Sequence, residues 1–94
     1  MMHIGICTLY LRILEARSLK EKRRVIKSIK DRIGNKFNVS IAEVDKLDKW
    51  QWATLGVVCV SNDAGFTNSM LSNVVNFIEQ THLVELVDYE IEIQ

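Results

Sequence analysis

The chain of 94 residues has no proline, four glycines and two cysteines. With no proline there are no proline-rich linkers, and no low-complexity tract or internal repeat divides the chain. The glycines at 5, 34, 56 and 65 stand alone. Neither a P-loop nor a G-x-G-x-x-G turn for cradling phosphates can be assembled from them. Cys7 and Cys59 each sit inside an apolar run, with no histidine or charge beside them. They read as reduced core residues of a cytosolic protein rather than as a disulfide, a metal pair or an activated thiol. His3 and His82 are far apart and have no ligand-spaced neighbours, and no Ser/His/Asp pattern occurs. No run approaches the roughly 20 apolar residues of a membrane span, and the N-terminus lacks the basic-then-apolar pattern of a secretion signal.

What remains is ordinary for a soluble globular domain: 48% apolar and 26% charged residues. One domain over 1–94 is expected, burying roughly 60–65% of the surface its unfolded chain would expose. Net charge is zero, with twelve residues of each sign, but the distribution is bipolar. Residues 12–36 hold ten basic side chains against Glu15, Glu21 and Asp31, a net of +7. Residues 37–94 hold Lys46 and Lys49 against nine acids, a net of −7.

Along the chain, "HIGICTLYLRI" (3–13) is strand-like. Ser18, with Glu21 three residues on, forms a capping box. The helix after it carries Leu19, Val25, Ile26, Ile29 and Ile33 within about 120° of arc, and Gly34 is expected to stop it. "KFNVSIAEV" (36–44) alternates as a half-buried strand, with Phe37, Val39 and Ile41 inward. After the hairpin "DKLDKWQW", the stretch "ATLGVVCVS" (53–61) is apolar on both faces and reads as a central strand. "NDAGFTN" is expected to separate it from a helix over 69–80. The final strand over 83–94 is expected to turn Val87, Tyr89, Ile91 and Ile93 inward and Asp88, Glu90 and Glu92 outward. The order βαββαβ suits a ferredoxin-like α+β fold, a four-stranded antiparallel sheet with two helices on one face. That topology places the loop after strand 1, the strand 2–3 hairpin and the end of helix 2 at one edge, and Ser61–Asp63 at the other.

The chemistry-bearing stretch is "SLKEKRRVIKSIKDR" (18–32), with seven basic residues and two acidic ones in fifteen positions. On a helical wheel Lys20, Arg23, Arg24, Lys27 and Lys30 cover about 120° beside the apolar face, and Arg17 precedes them. Lys20–Arg24, Arg23–Lys27 and Lys27–Lys30 are like-charge pairs that each cost a few tenths of a kcal/mol in an isolated helix. Lys20 and Lys22 sit in the first turn, where the helix dipole favours anions. Asp31 relieves Lys27 and little else. Three readings fit: a phosphate-binding face, a solvated face screened by salt, and a face paired with the chain's own acids. Trp50 and Trp52 form an aromatic pair on one face of the hairpin's end, fit for stacking or for a partner's pocket but equally for covering the core's edge. Glu43, Asp45 and Asp48 read as loop acids that solubilise the hairpin or pair with Arg17 and Arg24, rather than as metal ligands. No cofactor is implied. An RRM-like mode would stack bases on sheet aromatics, whereas strand 3 has none after Trp52 and strand 4 offers carboxylates. Acylphosphatase chemistry would need a glycine-rich anion loop where this chain has "LEARSL".

The segments "SLKEKR" (18–23), "AEVD" (42–45), "LGVV" (55–58) and "VSND" (60–63), with "HIGICTLYL" before them, resemble the YlxP-like family of small, functionally uncharacterised bacterial proteins. The resemblance implies a ferredoxin-like fold and a translation-related setting, since its members are often encoded beside ribosome-biogenesis and initiation factors. The expectation is a non-enzymatic cytoplasmic module binding RNA or a ribosomal particle through Arg17, Lys20, Arg23, Arg24, Lys27 and Lys30. The alternative is a protein-interaction or homodimeric module, because the central strands are apolar on both faces and helices cover only one.

Overall fold

A computed structural model describes residues Met1–Gln94. Its elements are β1 (His3–Arg12), α1 (Leu19–Lys36), β2 (Ser40–Asp45), β3 (Trp52–Ser61), α2 (Ala64–Thr81) and β4 (Glu85–Ile93). The strands form one sheet in the order β2-β3-β1-β4, with every neighbouring pair antiparallel. This is the ferredoxin-like α+β arrangement.

Strand periodicity builds the core. Cys7, Leu9 and Leu11 of β1 alternate with Ala53, Leu55, Val57 and Cys59 of β3 on the buried face. Against them pack Ile26, Ile29 and Ile33 of α1 and Leu71, Val74, Val75 and Ile78 of α2, in one contiguous cluster. Removing each such side chain from water contributes roughly 1.5–3 kcal/mol. Gly5 lets α2 approach closely: a Cβ there would collide with Thr67 and come within 2.7 Å of Leu71 Cδ1.

The capping box forms. Ser18 Oγ accepts from the Glu21 N–H at 3.1 Å, and the Glu21 carboxylate accepts from the Arg17 N–H. Several boundaries differ from expectation; β2, expected over 36–44, begins only at Ser40, because Lys36 still belongs to α1 and Phe37 caps it. Gly34 does not end α1, and no glycine has a positive φ. The helix runs two residues further because Phe37, whose N–H bonds to the Ile33 carbonyl at 2.8 Å, is anchored edge-on against Phe77 at 5.9 Å. α2 starts at Ala64, within the expected break. Asp63 caps it by accepting from the Phe66 N–H at 3.1 Å, and Ser61 Oγ in turn accepts from the Asp63 N–H. In β4 the register slips: Tyr10 pairs with Asp88 but Leu11 pairs with Leu86. Val87 is the bulged residue and is half exposed, so Leu86 packs against the core in its place.

One charged side chain lies inside. Lys22 is fully buried. Its Nζ donates to the Lys46 carbonyl and lies 2.9 Å from Glu43 Oε2. Glu43 Oε2 has no partner at hydrogen-bonding angles, so this contact is ionic in character. Lys46 occupies the left-handed region, φ 62°, held also by its N–H donating to Asp45 Oδ1 at 2.8 Å. Lys22 therefore joins α1 to both β2 and the hairpin turn. Lys22 sits in the first turn of α1, as its place after Ser18 implies, and faces inward there. Lys22, Ile26, Ile29 and Ile33 are the buried stripe of α1, spaced i, i+4, i+7, i+11.

Removing Lys22 leaves a buried carboxylate oxygen unpaired. Lys22→Met should destabilise the fold by about 3 kcal/mol. The double variant Lys22→Met/Glu43→Leu should recover part of that loss, because a well-packed apolar pair can replace a buried ionic one. Urea unfolding of wild type, both singles and the double measures the coupling, and additive losses would show that the pair is not coupled.

The core thiols make a second prediction. Burial, with nearby Cys59 adding to it, pushes the Cys7 thiol from 9.0 up to about 11, and burial raises Cys59 as well. Between those values the folded protein keeps a proton that the unfolded chain releases. Stability is then fully present below pH 9 and declines as pH rises toward 11. Urea midpoints across this range should show the decline, and Cys7→Ala should flatten it.

Candidate nucleic-acid interface

The basic stripe of α1 is on the surface. Arg17, Lys20, Arg23, Arg24 and Lys27 are exposed or nearly so, and Lys30 is half-buried. The chain makes two ion pairs, Lys22–Glu43 and Lys27–Asp31, the latter at 2.7 Å between exposed side chains one helical turn apart. Of the six residues named from the sequence, Lys27 alone has an acidic partner.

The sheet explains why the chain's abundant acids do not neutralise the stripe. Asp88, Glu90 and Glu92 pair in register with Tyr10, Thr8 and Ile6, on the face opposite the helices. Glu43 turns toward the helices but is taken by Lys22. Asp45 bonds to the backbone of its own turn. The expected pairing of hairpin acids with Arg17 and Arg24 is not formed. Asp31 does relieve Lys27, as its i+4 position requires.

The six cations do not form one patch. Arg23, Lys27 and Lys30 line a surface cleft of about 410 Å³ beside Ile26, Asp31 and Glu43, between α1 and β2. Arg24 points to the other side. There it joins Arg12, Glu15, Glu21, His82 and Glu85 around a cleft of about 580 Å³ between the β1–α1 loop and the α2–β4 turn. That second cleft is mixed in charge. The concentrated positive surface is therefore Arg23, Lys27 and Lys30, with Lys20 one turn before them.

The indoles lie at the hairpin end and do not share a strand face. Trp50 precedes β3 and is 54% exposed, while Trp52 opens β3 and is 44% exposed. Trp52 stands opposite Arg12 in the sheet, and the Arg12 guanidinium carbon sits 5.3 Å from its ring centroid. Neither indole covers the core. Between them lies Gln51, which sequence reasoning does not single out. Its amide donates to the carbonyls of Leu14 and Ala16 at 3.1 and 3.3 Å, tying the hairpin to the β1–α1 loop. This contact realises the expected shared edge. No signal in the sequence marks Gln51, because a glutamine on a turn is ordinarily solvated.

Lys36 lies over the rings of Phe37 and Phe77 at 5.8 and 5.1 Å, so the cation at the end of α1 is held locally. His82 caps α2 in the left-handed conformation, φ 58°, and is exposed. No three His, Cys, Asp or Glu side chains converge as a metal donor set. No helix is long and apolar enough to cross a membrane.

Three comparisons bear on identity. A designed protein, "De novo designed protein Foldit4", superposes with a TM-score of 0.55 over 100% of this chain and 97% of its own, at 10% identity. At that identity the likeness concerns the fold alone. "Uncharacterized protein YlxP" of Bacillus subtilis (strain 168) is 44% identical over 73 residues, covering 78% of this chain and 79% of the relative. The family model "Protein of unknown function (DUF503)" matches residues 4–91. With nearly its whole length matched, the chain belongs to the DUF503 family, as its resemblance to YlxP-like proteins implied.

Proposed function

We propose that the chain is a non-enzymatic cytoplasmic module that binds RNA, or a ribosome-associated RNA–protein particle, through the basic face of α1. One observation carries the reading: Arg17, Lys20, Arg23, Arg24 and Lys30 have no acidic partner although the chain holds twelve acids. Helical stability alone would favour glutamate at some of these positions, since neighbouring cations repel. A phosphate backbone supplies the missing anions at a spacing that flexible lysines and arginines can follow. The buried, protonated thiols suit a reducing compartment. The translation setting rests on the family resemblance.

The uncovered sheet face supports a second reading, association with protein, including a homodimer. Val44, Val58, Val60 and Trp52 are each more than 40% exposed on it. They form an apolar surface beyond scattered single residues.

Replacing Arg23, Lys27 and Lys30 with Gln tests the first reading. Two like-charge repulsions vanish along with the exposed Lys27–Asp31 pair, so stability should stay within about 0.5 kcal/mol of the parent. RNA binding should weaken, and the slope of log affinity against log salt should flatten by roughly 0.7–0.9 for each phosphate no longer neutralised. The weakening should be similar across sequences, because phosphate contacts position rather than specify. Filter-binding or polarisation titrations with several unrelated single-stranded RNAs at graded salt would measure it. Unchanged binding at every salt concentration would leave the stripe as solvated surface.

A further inference from the structure

The face of the sheet turned away from the helices has an order that the basic helix does not explain. Reading across the strands, Ser40, Val58, Ile6 and Glu92 form one row. Ala42, Gly56, Thr8 and Glu90 form the next, and Asp45, Thr54, Tyr10 and Asp88 a third. Trp52, Arg12 and Glu85 make the last. Val60 and Ile4 pair at the far end. Each of the four carboxylate rows runs from β2 or β3 through the middle of the sheet to an exposed acid on β4. Successive residues on one face of a strand are about 7 Å apart, so Glu85, Asp88, Glu90 and Glu92 line one side of the surface as a column. Arg12 is the face's single cation, and it is engaged with Trp52.

The middle of this surface is apolar and shallow. Val58 and Val60 are 41% and 57% exposed, with Ile4 and Ile6 half-buried beside them. Gly56 lowers the centre: a Cβ at that position would meet Val44 Cγ1 at 3.2 Å. Val44 leans over this glycine, so the apolar surface runs on from Val58 to β2 with no side chain protruding at its centre.

Charge decides which occupant fits. A second copy docked face to face about a two-fold axis along the strands would lay the acidic column over β2, which offers Ser40, Ala42, Val44 and a further acid, Asp45. About an axis across the strands, it would lay acids over acids. Neither arrangement provides a cation. The basic stripe of another copy's α1 has cations, but its exposed positions are Lys20, Arg23, Arg24 and Lys27, with no apolar side chain to cover Val58 and Val60. RNA is repelled by the column. The remaining chemistry is a segment of another protein with apolar residues on one side and Lys or Arg beside them. We propose that the open sheet face docks such a cationic amphipathic segment, its apolar side on Ile4, Ile6, Val58 and Val60 and its cations along Glu85, Asp88, Glu90 and Glu92. The proposal deepens the protein-association reading and is independent of phosphate binding by α1.

The probe is a synthetic peptide of about 18 residues, roughly five helical turns, with leucines on one face and lysines on the other. A matched peptide has glutamate for lysine. The expected result is that the lysine peptide binds, moving amide NMR signals of Ile4, Ile6, Val58 and Val60 while those of α1 stay in place. Asp88→Asn/Glu90→Gln/Glu92→Gln, with circular dichroism confirming the fold, should weaken it by about tenfold as three exposed charge pairings are removed. Val58→Thr, which keeps strand propensity, should weaken both the apolar contact and the affinity. Equal binding of the two peptides, or an unchanged affinity in the triple variant, would overturn the proposal. Light scattering at high protein concentration separates the two levels. A dimer formed through the same face would overturn the cationic occupant and keep protein association. A monomer that binds neither peptide would overturn both.

Discussion

The contact of Lys22 with Glu43 and the Lys46 carbonyl holds α1 in its orientation over the sheet. β2 is short, six residues at the sheet's edge, and presents mainly exposed side chains. Apolar burial alone gives it little grip on α1. A lysine placed in the apolar stripe spans that gap: its methylene stem runs along the buried side of the helix, and its ammonium reaches the strand and the turn beyond. The rotation of α1 about its own axis is set by this contact together with Ile26, Ile29 and Ile33 in the core. That rotation determines which flank of the helix faces solvent, and so where Arg23, Lys27 and Lys30 emerge. A buried ionic pair is weak evidence for stability but a good device for specifying one arrangement.

The sheet then separates the two signs of charge. Its pleat sends alternate side chains of each strand to opposite faces. On β4 the acids fall on the open side and the apolar residues on the helix side. On α1 the apolar stripe is spent on the core and the cations remain outside. A chain with no net charge thereby has a positive helix surface and a negative sheet edge, with a low-dielectric core between them. For Arg23, Lys27 and Lys30 self-neutralisation is limited by geometry, because Asp88, Glu90 and Glu92 lie on the opposite face of the sheet.

Much of this is legible in the sequence because it follows from period alone. Alternation in β1, β3 and most of β4, and the Leu19-to-Ile33 spacing of α1, lead to the fold and to the exposed stripe. Expectation and structure part where a local signal meets tertiary packing. Gly34 marks a helix end in isolation, yet Phe37 docking on Phe77 carries the helix past it. Asp63 is a good N-cap followed by Gly65, a poor helix former, and packing of Thr67 and Leu71 over Gly5 outweighs the propensity. The charge of Lys22 argues for solvent, although its spacing from Ile26, Ile29 and Ile33 places it on the buried face. A cation at an apolar position together with an acid at an inward strand position, Glu43, is the signal that finds the pair. Gln51 and the separation of Arg24 from Arg23 depend on where loops pass, which no periodicity records.

The bulge at Val87 shows how one residue can organise a surface. Counting back from Ile93, strict alternation would keep Ile91, Tyr89 and Val87 toward the helices and would then bring Glu85 inward and Leu86 outward. A carboxylate would face the core beneath the α2–β4 turn, and a leucine would lie in solvent. The extra residue shifts the remainder of the strand by one position, so that Leu86 opposes Leu11 and Glu85 opposes Arg12. The cost is a half-exposed valine. The gain is a continued apolar layer on one side and a fourth carboxylate aligned with Asp88, Glu90 and Glu92 on the other. An edge strand bearing acids on its outer face and broken by a bulge is also a poor template for strand addition. β4 therefore discourages pairing along its own edge while leaving the face beside it open.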